Sequence, residues 1–344
     1  MIVTLTPNPS VDHTVDLDEL IRGAVHRVQA SRLDAGGKGV NVARALAAHS
    51  IEVRAVLPTG GLTGEAIGGL MRADGVTAVP VPVAGALRMN ISVVEPGGVV
   101  TKINELGPEL SPAETAELRA QAIATAVGSP HPVDGGLHPR SGAPAAWLVC
   151  CGSLPRGIPA GFYADIVTAL RGTGVAVAVD SSGPALRAAV AAGPDLVKPN
   201  ADELAEVTGM PVGTLGEAAA AGQELVRRGA RRVLASLGPD GALFMDGRTV
   251  VHGEAPVELP VSTVGAGDAL LAGYLAACGT ALANGPGPDA AGPAAWHPDA
   301  IAEALAWGAA AVALPGSRMP RPCDLDRAAV TMHDRLDAAR PLKP

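Results

Sequence analysis

Val175-Ala176-Val177-Ala178-Val179-Asp180 is a run of small apolar residues, every second one β-branched, closed by a carboxylate. A run so short and so apolar reads as a strand buried on both faces. Moving outward from it, the period turns helical and back again in both directions. Toward the C-terminus come a helix from Pro184, a short strand at 196–198, helices at 201–208 and 215–228, and a strand at 232–236. Toward the N-terminus, a helix at 159–170 follows a strand at 146–150, and a helix from Pro112 to about Val127 precedes that strand. Such alternation predicts a mostly parallel sheet with helices on both faces, an α/β three-layer sandwich. Residues 2–6 and 51–57 read as further buried strands, and the segments after Gly39 and at 64–72 as helices. The segments 242–245 and 249–252 read as a hairpin, 300–314 as a helix, and 325–339 as a closing amphipathic helix.

Three stretches do not suit such a sheet. Residues 11–17 alternate apolar and polar side chains, and so do 88–95 and 99–105, which Pro96-Gly97-Gly98 joins into a hairpin. Half-exposed strands cannot lie inside a sheet covered on both sides. They read instead as a small β-lid, formed from about 11–31 and 88–105, on one domain spanning 1–344. Two Pro/Gly-rich segments, 128–144 and 280–298, read as insertions; His131 and His138 in the first are too loosely placed for a metal site.

With 344 residues, 48% of them hydrophobic, the chain has ample material for a core, and only seven aromatic residues leave Ala, Val and Leu to build it. A formal charge of −8 argues against a nucleic-acid or anionic-membrane partner. No apolar run approaches the ~20 residues that span a bilayer. Cys150, Cys151, Cys278 and Cys323 follow no metal spacing, and the first two are adjacent; a reduced, cytoplasmic setting is expected.

The chemistry concentrates in separated glycine-rich pieces. Ser262-Thr263-Val264-Gly265-Ala266-Gly267-Asp268 runs directly into an Ala/Leu-rich helix, so Gly265, Ala266 and Gly267 would offer backbone N–H groups at a helix N-terminus, a cradle for phosphate oxygens. Asp268 would sit beside that cradle, or merely cap its own helix. Gly36-Gly37-Lys38-Gly39-Val40-Asn41 combines close backbone approach with a charge and an amide. Arg88 with Asn90, and Lys102 with Asn104, lie two apart and share faces of their strands; a solvated hairpin would look the same. Asp12 could bind sugar hydroxyls or be a solvated edge carboxylate. Lys198-Pro199-Asn200-Ala201-Asp202-Glu203 places Asn200 and Glu203 three apart at a helix entrance, as a capping box, a cation site, or both. Ser236-Leu237-Gly238-Pro239-Asp240-Gly241 is a turn across which a nucleotide could lie, or an ordinary hairpin turn. There is no Walker sequence and no G-x-G-x-x-G.

Taken together, Asp34–Asn41, Lys198–Glu203 and Ser262–Asp268 resemble, in order, the first signature, the N-x-x-E element and the second signature of the PfkB carbohydrate kinases, in the ribokinase-like superfamily. Thr4–Pro9, Arg88–Asn90, Thr101–Asn104 and Cys151–Pro155 are similar to its phosphosugar branch of 1-phosphofructokinases and tagatose-6-phosphate kinases. The resemblance implies a ribokinase-like α/β/α sandwich with a β-lid that can serve as a homodimer surface. It implies a kinase using ATP and Mg²⁺ on a ketose phosphate, foremost fructose 1-phosphate. Tagatose 6-phosphate or fructose 6-phosphate, an unphosphorylated sugar or nucleoside, and a non-catalytic sugar-phosphate binder are the alternatives. By resemblance, Asp268 is the general base, and Gly265, Ala266 and Gly267 are the anion hole. Asp12, Gly36, Gly37, Lys38 and Asn41 hold the sugar, and Arg88, Asn90, Lys102 and Asn104 meet its phosphate or neighbouring hydroxyls. Lys198, Asn200, Ser236, Gly238 and Gly241, with Gly265 and Gly267, line the ATP side, and Asn200 and Glu203 hold Mg²⁺ through water.

Overall fold

The computed structural model describes residues 1–129, 145–283 and 298–343. The two expected insertions, with His131 and His138, fall almost wholly outside the described residues. In chain order the main elements are β1 (Ile2–Leu5), β2 (Ser10–Asp16), β3 (Ala30–Gly36), α1 (Lys38–Ala48), β4 (Val53–Thr59), α2 (Gly61–Ala73), β5 (Thr77–Pro82), β6 (Arg88–Glu95), β7 (Val99–Asn104) and α3 (Pro112–Val127). There follow β8 (Trp147–Cys151), α4 (Phe162–Ala169), β9 (Ala176–Asp180), α5 (Gly183–Ala191), β10 (Leu196–Val197), α6 (Ala201–Thr208), α7 (Leu215–Arg227) and β11 (Val233–Ser236). The last are β12 (Ala242–Met245), β13 (Val250–Glu254), α8 (Ala266–Ala283), α9 (Pro298–Val312) and β14 (Thr331–His333).

Among the described residues, ten strands form one sheet in the order β14-β13-β12-β11-β10-β9-β8-β1-β4-β5. From β5 through β11 every pairing is parallel; the three strands beyond are antiparallel. Because side chains alternate across a pleated strand, each central strand feeds two cores. Val3, Leu148, Val177 and Val233 pack on one side with residues of α3 to α7. Ile2, Trp147, Ala176 and Leu234 pack on the other with residues of α1, α2, α8 and α9. This is the expected three-layer α/β/α sandwich. Small residues let the helices lie close: a Cβ on Gly273 of α8 would come within 2.8 Å of the Trp307 ring on α9.

A separate four-stranded sheet runs β3-β2-β6-β7. It contains the anticipated hairpin, turned at Pro96–Gly98 with Gly97 at φ 78°. Three strands, β3, β5 and β14, were not legible beforehand. β3 carries no clear alternation (Ala-Ser-Arg-Leu-Asp-Ala-Gly) and exists because β2 offers it an antiparallel edge over seven residues. β5 contains Pro80 and Pro82, which a sheet accepts only at its margin, and β5 is the marginal strand.

The closing helix expected over 325–339 is absent. Asp326 accepts from the amides of Ala328 and Ala329 and ends the chain direction in a single 3₁₀ turn. Thr331–His333 then pairs with β13. The open backbone of an edge strand outcompeted a weakly apolar helical stripe, and Arg340 ties the tail down on Asp240 and Glu254.

Candidate functional site

Two helix N-termini meet at the C-terminal ends of the parallel strands. α1 starts at Lys38 directly after β3, through Gly37 at φ 111°. A side chain on Gly37 would stand 2.9 Å from the Thr6 methyl, and one on Gly39 would overlap the Thr6 hydroxyl. The glycines therefore let α1 begin hard against the end of β1. α8 starts at Ala266, after Gly265 at φ 81°. A Cβ on Gly265 would lie 2.6 Å from the end of Met319, and one on Gly267 3.2 Å from Lys198 Nζ.

Asp268, in the first turn of α8, joins the two termini. It is 7% exposed, and Asn41 of α1 donates to it from Nδ2 at 2.9 Å. Burial, helped by the negative charge of Asp180, raises its pKa to about 7; the Asn41 hydrogen bond, Lys198 and Lys38 pull the other way.

Below it lies a charge network. Asp180, fully buried at the end of β9, pairs with Lys38 at 2.7 Å through one oxygen and with Lys198 at 3.1 Å through the other. Lys38 also reaches Glu203 at 3.2 Å. Burial disfavours the Lys38 ammonium, but Asp180 and Glu203 outweigh it and hold the pKa above the usual lysine value. Asn200 and Glu203 form a complete capping box, with Glu203 N to Asn200 Oδ1 at 2.7 Å and Asn200 N to Glu203 Oε2 at 2.9 Å. Glu203 thus caps α6 with one oxygen and meets Lys38 with the other.

The small sheet supplies the opposite wall. Asp12 lies so close over Gly36 that any side chain there would overlap its carboxylate. Its Oδ1 accepts from Ser10 Oγ at 2.7 Å and from Asn90 Nδ2 at 3.0 Å. Asn90 stands opposite Asn104, and Lys102 opposite Ser92, so the register brings the polar side chains of both strands onto one face. Arg88 is half-buried and donates to the Asn8 carbonyl at 3.2 Å; burial lowers its pKa. Lys102 and Asn104 are exposed. On the nucleotide-side candidates, Ser236 bridges Asn200 in parallel. Gly238 has φ 57° with open space where a Cβ would be, and Gly241, at φ 79°, packs on the Gly253 carbonyl.

The sequence reading omitted one participant, Asp180. Its signal was present: a lone carboxylate at the carboxyl end of a buried parallel strand, where open α/β sheets bind ligands.

A three-layer α/β sheet, a separate small β-sheet, and a buried carboxylate at a glycine-entered helix define a class of sugar kinase. The family described as pfkB family carbohydrate kinase matches residues 5–285, and the chain belongs to it. Among its relatives, the 1-phosphofructokinase of Rhodobacter capsulatus is 37% identical over 284 residues, covering 80% of this chain and 82% of that one. The ATP-dependent 6-phosphofructokinase isozyme 2 of Escherichia coli is 34% identical over 78% of this chain and 83% of its own. The crystal structure of phosphofructokinase-2 from Escherichia coli in complex with substrates and products superposes with a TM-score of 0.78 at 31% identity, covering 94% of this chain and 96% of that one.

Proposed function

We propose that this carbohydrate kinase transfers the γ-phosphoryl group of ATP to the C6 hydroxyl of fructose 1-phosphate, giving fructose 1,6-bisphosphate. The observation that carries the reading is the Asn41–Asp268 hydrogen bond, which joins the glycine start of α1 to the glycine start of α8 around one carboxylate. Relatives named 1-phosphofructokinase at 33–37% identity support the substrate class.

Asp268 accepts the proton of the attacking hydroxyl. A base with a pKa near 7 is half ionised at neutral pH and well matched to that task. Phosphoryl transfer has a loose transition state, so the proton need not leave first; positioning and charge stabilisation dominate. The N–H groups of Gly265, just before α8, and of Gly267, in its first turn, face the migrating group, while that of Ala266 turns back to the Thr263 carbonyl at 3.4 Å. Lys198, next to Gly267, adds a positive charge, and Asp180 fixes the spacing of Lys198 and Lys38.

Asp12, with Asn90 and Ser10 already on one of its oxygens, has acceptor capacity left for sugar hydroxyls, and Gly36, Gly37, Lys38 and Asn41 admit the ring. Arg88, Lys102 and Asn104 meet the substrate phosphate. ATP lies along Lys198, Asn200, Ser236, Gly238 and Gly241, where the open face of Gly238 leaves room for it. The residues fit Mg²⁺ as well: Asn200 and Glu203, engaged in their cap, would hold it through water. An ion held there would supply charge neutralisation for the transferring phosphates. The small sheet, β2, β3, β6 and β7, acts as a lid that excludes water and limits ATP hydrolysis. Its outer face presents Leu33 and Ile103 on the row through His13 and Ile91, an apolar stripe suited to the same stripe of a second copy. The enzyme is assigned to the cytoplasm, consistent with buried, unpaired Cys150, Cys151 and Cys278.

The test is ADP release by the purified chain with Mg²⁺–ATP against fructose 1-phosphate, fructose 6-phosphate, tagatose 6-phosphate, fructose and ribose. Preference for fructose 1-phosphate is expected; preference for fructose or ribose removes the phosphate contacts, and no turnover with any sugar removes the kinase.

A further inference from the structure

At the antiparallel end of the large sheet, His252 and Glu254 lie two apart on β13, hence on one face, and His333 of β14 stands directly opposite His252. The two imidazoles stack with centroids 4.7 Å apart. One ligand atom from each of His252, Glu254 and His333 lies within 4.8 Å of the others. None of these residues takes part in the proposed reaction.

The surroundings of the three are those of metal ligands. His252 is 3% exposed, and its Nε2 lies 2.9 Å from the Asp240 carbonyl. A carbonyl can only accept, so Nε2 carries the proton and the Nδ1 lone pair is free. Glu254 divides its oxygens: Oε1 is 3.2 Å from His333 Nε2, and Oε2 accepts from Arg340 Nη2 at 2.8 Å. Ligating histidines ordinarily donate their second N–H to a backbone carbonyl, and ligating carboxylates are themselves hydrogen-bonded. Both supporting bonds are already made.

We propose that His252, Glu254 and His333 bind a divalent transition-metal cation, with Zn²⁺ the best match to two imidazoles and one carboxylate. Water completes a tetrahedral shell. The ion displaces the proton between His333 Nε2 and Glu254, which moves to the other ring nitrogen. It fastens β14 to β13 and, through the Asp240 carbonyl and Arg340, steadies the Gly238–Asp240 turn. The competing account is a plain His333–Glu254 ion pair that holds an edge strand.

The full chain, stripped with a chelator, is titrated with Zn²⁺ by calorimetry and with Co²⁺ by visible absorption, without nucleotide or sugar. One ion per chain and a tetrahedral Co²⁺ spectrum are expected. His333→Ala and Glu254→Gln should each abolish both signals, and Arg340→Ala should weaken binding by ~10–100-fold. Zn²⁺ should raise the melting temperature of the native chain but not of His333→Ala. Absence of saturable binding, or equal stoichiometry in both His333→Ala and Glu254→Gln, overturns the site. Because catalysis is not the readout, failure here leaves the kinase reading standing, and the reverse also holds.

Discussion

Replacing Asp268 by Asn should trade activity for stability, and the trade should depend on pH. In the folded chain the carboxyl pKa is raised from 3.8 to about 7, mainly by burial. At about 1.4 kcal/mol for each tenfold change in proton affinity, the ionised group costs roughly 4 kcal/mol. Below pH 4 the group is protonated in both folded and unfolded chains, and nothing is lost. Between pH 4 and 7 the folded chain keeps a proton that the unfolded chain gives up, so stability from this group declines as pH rises. Above pH 7 the full cost is present. Asn carries no charge to bury and can still accept from Asn41. The variant should therefore match the native chain near pH 4 and exceed it by up to roughly 4 kcal/mol at pH 8. With an unfolding entropy of ~2 cal/mol/K per residue, this amounts to a melting temperature about 5 °C higher at pH 8. In the same preparation kcat should fall by ~10²–10⁴ with KM little changed. Scanning calorimetry of both proteins at pH 5 and pH 8, beside coupled ADP release, measures each quantity. A stability difference that is the same at both pH values, or a variant less stable at pH 8, refutes a charged, buried Asp268. Near-normal turnover refutes its role as base.

Further outcomes follow from its neighbours. Asn41→Ala removes a hydrogen bond that favours the ionised carboxylate, so the acidic limb of the kcat/KM profile should move upward from pH 7, read from rates between pH 5 and 9. Asp180→Asn should move that limb downward, since the Asp180 charge disfavours ionisation of Asp268; it should also cost ~3–5 kcal/mol in urea unfolding by leaving Lys38 and Lys198 short of their shared partner. Arg88→Ala or Lys102→Ala should raise KM for fructose 1-phosphate ~10–150-fold, the worth of one charged hydrogen bond, with kcat less affected; an unchanged KM in both excludes them from the phosphate site. Gly36→Ala should displace Asp12 and raise KM for the sugar, while a change confined to KM for ATP would contradict a sugar-side Asp12.

Several parts of the molecule were readable because the physics behind them is local. The α3 boundaries at 112 and 127 follow from Ser111, Pro112 and Glu114 at its start and Gly128 in the left-handed region at its end. The Asn200–Glu203 cap, and the shared strand faces of Arg88 with Asn90 and of Lys102 with Asn104, follow from spacing alone. Elsewhere the deciding partner was distant in sequence. β3 and β14 form because a free strand edge waits for them, and a helical pattern over 325–339 lost to that edge.

The sequence by itself determined the alternation that makes a parallel sheet, the glycine-entered helices, and the identity of the carboxylate at α8. It could not determine that Asn41, 227 residues away, would hold that carboxylate, or that Asp180 would sit between Lys38 and Lys198. Those are properties of chain ends brought together by sheet order. Only the tertiary structure removes water from Asp268, and only that removal brings its proton affinity near neutrality.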